Sequence, residues 1–110
     1  MGLGGCRSSG ELTSAILVFG GRCKLVSIHA TNIHATAPSI VTIYDNTAAS
    51  GKKVATLVVP ALSGAGSDNA GATVTPTATS LEYDMHGVIC EKGIYFSFAS
   101  GTPSVTIEYS

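Results

Sequence analysis

Tryptophan is absent, and only 12% of the residues are charged, about half the usual globular share. The missing indole removes the largest aromatic surface a chain can offer a ligand. With so few charges, Ser, Thr, Gly and Ala must cover much of the exterior. Such a surface is desolvated by another protein at lower cost than one full of lysines. Six Lys and Arg stand against seven Asp and Glu, a formal net charge of −1, so no long-range field steers nucleic acid to the chain. The basic groupings, Arg22–Cys23–Lys24 and Lys52–Lys53, have no interleaved aromatics and read as solvated edge charges that discourage stray strand pairing. No apolar run is long enough to cross a bilayer, and Met1–Gly2 is followed by Cys6 where a myristoylation signal has Ser or Thr. Neither a membrane nor a nucleic-acid partner is expected.

The three cysteines, Cys6, Cys23 and Cys90, include no CxxC pair, and their odd number argues against a secreted disulfide scaffold. Cys23 and Cys90 sit among apolar strand residues and read as small core side chains in a reducing compartment. Helical periodicity with caps is also missing, which leaves extended structure as the builder of the core.

What the chain does contain is a succession of short alternating segments. The clearest is Gly87–Phe98, read as two strands joined by a tight turn at Glu91–Lys92–Gly93, with Ser104–Tyr109 as a third strand. Ile94, Phe96 and Phe98 fall on one side of their strand, and Val105, Ile107 and Tyr109 repeat the pattern. Gly101–Thr102–Pro103 supplies the turn between them. Earlier strands are expected at Thr13–Phe19, Lys24–Ala30, Ser39–Tyr44 and Lys53–Val59, and a later one at Leu81–His86. Along Lys24–Ala30, Val26, Ile28 and Ala30 share one side, opposite Leu25, Ser27 and His29. Asp45 and Asn46 are suited to start a turn by bonding nearby backbone. Residues 61–72 are Gly, Ala and Ser-rich without apolar period and read as a long loop or lid. Pro76 makes residues 73–80 an edge, a strand start or a loop.

The expected fold is all-β: a two-sheet antiparallel β-sandwich of seven or eight strands, with the jelly roll among its forms. Residues 1–12 are expected to be a flexible arm, and residues 13–110 a single domain.

Chemistry finds little to work with. His29, His34 and His86 lack a CxxC, an HExxH or a carboxylate-rich loop beside them, so a three-His metal site is not expected. Cys90 has His86 four residues back, about 13 Å along a straight strand, too far for a thiol–imidazole pair unless Gly87 bends the chain. Glu82, Asp84, Glu91 and Glu108 are the carboxylates that glycoside hydrolysis would draw on, but Glu82 and Asp84 read equally as one solvated strand face. No phosphate loop is present. No catalytic, metal or cofactor residue is therefore assigned, and the chain is read as a non-enzyme.

Val41–Thr47, Gly87–Tyr95 and Gly101–Tyr109 together resemble the strand-and-turn segments of small β-rich virion proteins of tailed bacteriophages, the head-decoration or cement and tail-accessory proteins, over residues 22–110. The resemblance implies a component repeated many times in the virion and made in the host cytoplasm, contacting the major capsid protein or another virion protein. It also implies a homo-oligomer, with a trimer at a capsid symmetry site as one option. A cement protein bridging adjacent capsomers is the leading reading, and a tail or neck adaptor the second. A carbohydrate-binding module using Tyr44, Tyr83 and Tyr95 is the alternative from a different class.

Overall fold

The computed structural model describes residues 6–34, 36–61, 66–67, 73–74 and 79–110. Ten strands run through them: β1 (Arg7–Ser8), β2 (Ile16–Gly20), β3 (Cys23–Asn32), β4 (Ser39–Asp45), β5 (Lys52–Val59), β6 (Gly66–Ser67), β7 (Thr73–Val74), β8 (Thr79–Cys90), β9 (Gly93–Ala99) and β10 (Pro103–Tyr109). There is no helix among the described residues. Eight strands form two antiparallel four-stranded sheets, ordered β1-β10-β3-β8 and β2-β9-β4-β5, and β6 pairs with β7 apart from them. The chain is an all-β sandwich, as its alternating segments require.

The core lies between the sheets. Leu25, Ile28, Val105 and Ile107 from the first sheet and Val41, Ile43, Ile94 and Phe96 from the second are fully buried. Alternation explains most of the selection, because every second residue of a strand leaves the same face. β3 breaks the simple period. Its register against β8 shifts between Leu25 and Ser27, and this bulge turns Leu25 into the core together with Ile28 and Ala30. Leu25 is thus not on the outer side with His29, and Val26 is only half-buried.

The tight turn expected at Glu91–Lys92–Gly93 does not close a hairpin. β8 pairs with β3 in one sheet, while β9, which begins at Gly93, pairs with β2 and β4 in the other, so Glu91 and Lys92 carry the chain across the sandwich. The same is true of β9 and β10. Leu81–His86 and Gly87–Cys90 are also not separate strands: they are one strand, β8, with an irregularity near His86 and Gly87, both at positive φ.

A buried carboxylate accounts for the first crossing. Asp45, 7% exposed at the end of β4, accepts the N–H of Lys92 at 2.8 Å and that of Glu91 at 3.0 Å. Two donors that a hairpin would have turned to solvent or to its own strands are held by the opposite sheet instead. Asp45 therefore does not bond within its own turn, whereas Asn46 does, through Ser50 O at 2.8 Å and the Thr47 N–H at 2.8 Å. Gly93 completes the corner at φ 148°, where an added Cβ would stand 2.5 Å from the Phe19 carbonyl oxygen.

Asn32 does the equivalent work at the opposite end. Its fully buried carboxamide donates to Ala37 O at 2.9 Å and Val59 O at 3.1 Å, and accepts the N–H groups of His34 and Thr102, each at 3.0 Å. One side chain thereby joins the β3–β4 connection, the end of β5 and the β9–β10 crossing. Gly101, at φ 72°, passes so close that a Cβ there would lie 2.9 Å from that of Ser39.

From Arg7 onward the expected flexible arm is hydrogen-bonded. Arg7 and Ser8 pair with Tyr109 and Glu108, the Ser9 N–H donates to Ile107 O at 2.8 Å, and Leu12 bridges Val105. The open edge of β10 provides the unpaired groups that recruit it. Residues 1–5 lie outside the described residues, as does the loop expected over residues 61–72 apart from Ala61 and Gly66–Ser67.

Two stability measurements follow from this architecture. Phe96→Ala should lower stability by roughly 3–5 kcal/mol in urea unfolding, as expected for a fully enclosed ring. For Asp45, burial pushes the carboxyl up, but the backbone N–H groups of Lys92, Glu91 and Gly93, with Lys52 nearby, outweigh it and hold the group below its ordinary value. A depressed folded-state pKa gives stability that is present above the unfolded value, about 4, and lost as pH falls through the folded one. Asp45→Asn should accordingly cost about 1–3 kcal/mol at neutral pH, and this deficit should close as the pH is taken below about 4.

Candidate functional site

The two outer faces of the sandwich differ in kind. Cross-strand register places Ser8, Glu108, Ser27 and Asp84 in one row on the outside of the β1-β10-β3-β8 sheet, followed by Thr106, His29 and Glu82 and then Ser104, Thr31 and Ser80. This face carries the carboxylates of Glu82, Asp84 and Glu108. His29 stands at its centre, its Nδ1 3.2 Å from Glu82 Oε2 and its Nε2 3.3 Å from Glu108 Oε1. The Ser27 hydroxyl donates to the same Glu108 oxygen. These bonds, from Ser27 first and His29 second, hold the Glu108 carboxyl below the ordinary glutamate range against a smaller opposing effect of burial. An open concavity of about 350 Å³ lies alongside, lined by Val26, Ser27, Glu82, Asp84 and Glu108.

The outside of the β2-β9-β4-β5 sheet is built otherwise. Its rows are Leu17, Tyr95, Tyr44 and Lys53, then Ser97, Thr42 and Thr56, then Ala99, Ile40 and Val58. Lys53, at a corner, is the one charged residue in them. Leu17, Ile40 and Val58 are between 40% and 57% exposed, which puts branched aliphatic side chains on a face otherwise made of hydroxyls, methyls and two tyrosines. A patch of this composition can be covered by another macromolecule with little desolvation of charge.

Of the residues weighed for chemistry, His29, Glu82, Asp84 and Glu108 come together on one face, whereas His34, Cys90 and Glu91 lie apart from them. His34 is engaged in its own loop, its Nδ1 accepting the N–H groups of Ala37 at 2.8 Å and Thr36 at 3.1 Å. His86 is 85% exposed beside Asp84, whereas Cys90 is fully buried, so Gly87 does not bring that thiol and imidazole together. Glu91 pairs with Arg22 at 3.5 Å, away from the Glu82 and Glu108 carboxylates around His29. Among the described residues, no group of three or more His, Cys, Asp or Glu is placed to hold a metal ion. Tyr44 and Tyr95 are register partners, while Tyr83 lies in β8 of the other sheet, which divides the three-tyrosine platform.

Ser27 and the grouping around His29 were not singled out from the sequence. Their signal is cross-strand rather than local: Glu108 and Glu82 meet His29 only once β10 and β8 flank β3. Comparison of the chain with known protein families, curated proteins and solved structures returns no match. Any functional reading therefore rests on the two faces themselves.

The His29 grouping has a direct spectroscopic test. In a carboxyl-detected NMR titration, Glu108 should titrate below an ordinary glutamate, and Ser27→Ala should move it back up toward the ordinary value. An unchanged midpoint in that variant would remove Ser27 as the main cause.

Proposed function

We propose that this chain is a non-enzymatic structural protein of a virus particle, a capsid decoration or cement protein that bridges and stabilises neighbouring capsomers. The observation that carries the reading is the difference between the two faces. One carries the hydrogen-bonded group of Glu82, His29 and Glu108 beside the exposed Tyr83 and Ile89 of β8; the other is almost free of charge and presents Leu17, Ile40, Val58 and the paired Tyr44 and Tyr95. The second face is the one to lie on the major capsid protein, where many identical copies turn a modest contact into durable reinforcement.

The winding of the chain supports the same reading at the level of architecture. The pairs β1·β10, β2·β9, β3·β8 and β4·β5 nest within one another, which supports the jelly-roll form of the sandwich, a fold used by viral capsid and lectin domains. Fold alone does not assign function, so the face is what the proposal depends on. Self-association as a trimer belongs to the proposal, because a capsid's local threefold positions each take such an assembly. A tail or neck adaptor would use the same face against a different virion protein, and locating labelled copies along the particle separates the two. The adjacent Tyr44 and Tyr95 favour, as a second reading, a small carbohydrate platform.

The decisive experiment compares particles stripped of the protein with particles replenished by it. Replenishment should raise the shell's rupture temperature. Thr42→Lys, at the centre of the uncharged face, should weaken binding at least tenfold by burying an unpaired ammonium, while Thr106→Lys on the charged face should bind normally. Equal binding by both variants, or no binding by the parent protein, contradicts the proposal. Glycan binding lost on Tyr95→Ala supports the second reading instead.

A further inference from the structure

Cys23 begins β3 and Cys90 ends β8, and the antiparallel register sets them directly opposite each other. Both are free thiols, 7% and 0% exposed, and both belong to the same core cluster, so their side chains leave the sheet on the same face. Directly opposed residues of an antiparallel pair have Cα atoms about 4.5–5.5 Å apart. That separation falls inside the range of roughly 4.4–6.8 Å that a disulfide spans. We propose that Cys23 and Cys90 form a dithiol that closes into a cross-strand disulfide, with a small disulfide such as oxidised glutathione as the oxidant.

The pair is reachable from one side. Cys23 reaches the wall of an open cavity of about 330 Å³ that it shares with Arg22, Lys24, Ile89 and Ser110. Arg22, which pairs with Glu91 at 3.5 Å, and Lys24 are the cationic residues at that cavity. Cys23 is therefore the entering thiol and Cys90, fully enclosed, the resolving one.

The chemistry balances without a further reagent. The Cys23 thiolate, its proton released to water, attacks one sulfur of the glutathione disulfide, whose S–S bond breaks as one glutathione leaves as thiolate. The Cys90 thiolate then attacks the Cys23 sulfur of the mixed disulfide, and the second glutathione leaves. Two protein thiols are oxidised and one glutathione disulfide is reduced to two thiols. Burial, with Asp45 adding to it, pushes the Cys23 thiol up; burial, then Cys23 and Asp45, push Cys90 up to about 11. The reaction accordingly speeds up as pH rises. Its product ties the edge strand β8 to β3 immediately before the Glu91–Lys92 crossing, where Asp45 already anchors the chain.

The test exposes the folded chain to oxidised glutathione at about pH 8 and counts thiols after denaturation. Of its three cysteines, only the exposed Cys6 should retain a thiol or carry glutathione. Peptide mapping should link Cys23 to Cys90 with the loss of two hydrogens, and the oxidised form should unfold at a higher temperature, reversibly on reduction. Cys6→Ser should give the same link without the competing thiol. Cys23 and Cys90 remaining free in that variant, a stable glutathione adduct on Cys23 beside a free Cys90, or a link that forms only after unfolding would each overturn the proposal.

Discussion

The carboxylate of Asp45 decides how the second half of the chain is laid down. It lies at the end of an inward-facing row, Val41, Ile43 and Asp45, and it meets the N–H groups of Glu91 and Lys92 arriving from the other sheet. Without an acceptor there, each of the two donors would lose a charge-assisted hydrogen bond to the opposite sheet. With it, the chain crosses from β8 to β9 rather than folding back on itself. Each sheet then receives strands from distant parts of the sequence, and the antiparallel pairs nest. Asn32 applies the same principle at the far end, where a single carboxamide satisfies groups from three connections.

The contrast between the outer faces is a consequence of that winding. Because β8 and β10 flank β3, the acidic residues Glu82, Asp84 and Glu108 are gathered around His29 on one outer surface. Because β9 and β4 run together in the centre of the other sheet, their hydroxyl and tyrosine positions collect on the opposite surface with almost no charge. A chain poor in charge could have spread what it has evenly. Instead Glu82, Asp84 and Glu108 stand together on one outer surface, while the rows of the opposite surface carry a single charged residue, Lys53.

Strand identity was legible in the sequence, since Ser39–Tyr44, Lys53–Val59 and Ser104–Tyr109 carry their alternation openly and the structure places strands there within a residue at either end. Strand partnership was not. A two-residue link between alternating segments is the usual mark of a hairpin, and nothing within Gly87–Phe98 reveals that its donors are satisfied by a residue more than forty positions earlier. A trace of the answer was present all the same. Asp45 continues the inward phase of Val41 and Ile43, and Asn32 that of Ile28 and Ala30, so each is a polar residue where the pattern calls for an apolar one. Such a residue is either misplaced or bonded inside, and bonding inside implies a partner from another element. The bulge at Leu25 was hidden for a different reason: it depends on β8 containing extra residues opposite Val26, which only the pairing reveals.

β8 and β9 belong to different sheets, and both outer faces follow from this. Cross-strand nuclear Overhauser effects measure it directly. Contacts of Ile89 with Lys24 and of Ile94 with Phe19 are predicted, following the register of β8 on β3 and of β9 on β2. A ladder of contacts joining Ile89 to Ile94 and Val88 to Tyr95 would instead mean a hairpin, and would contradict the arrangement of both faces.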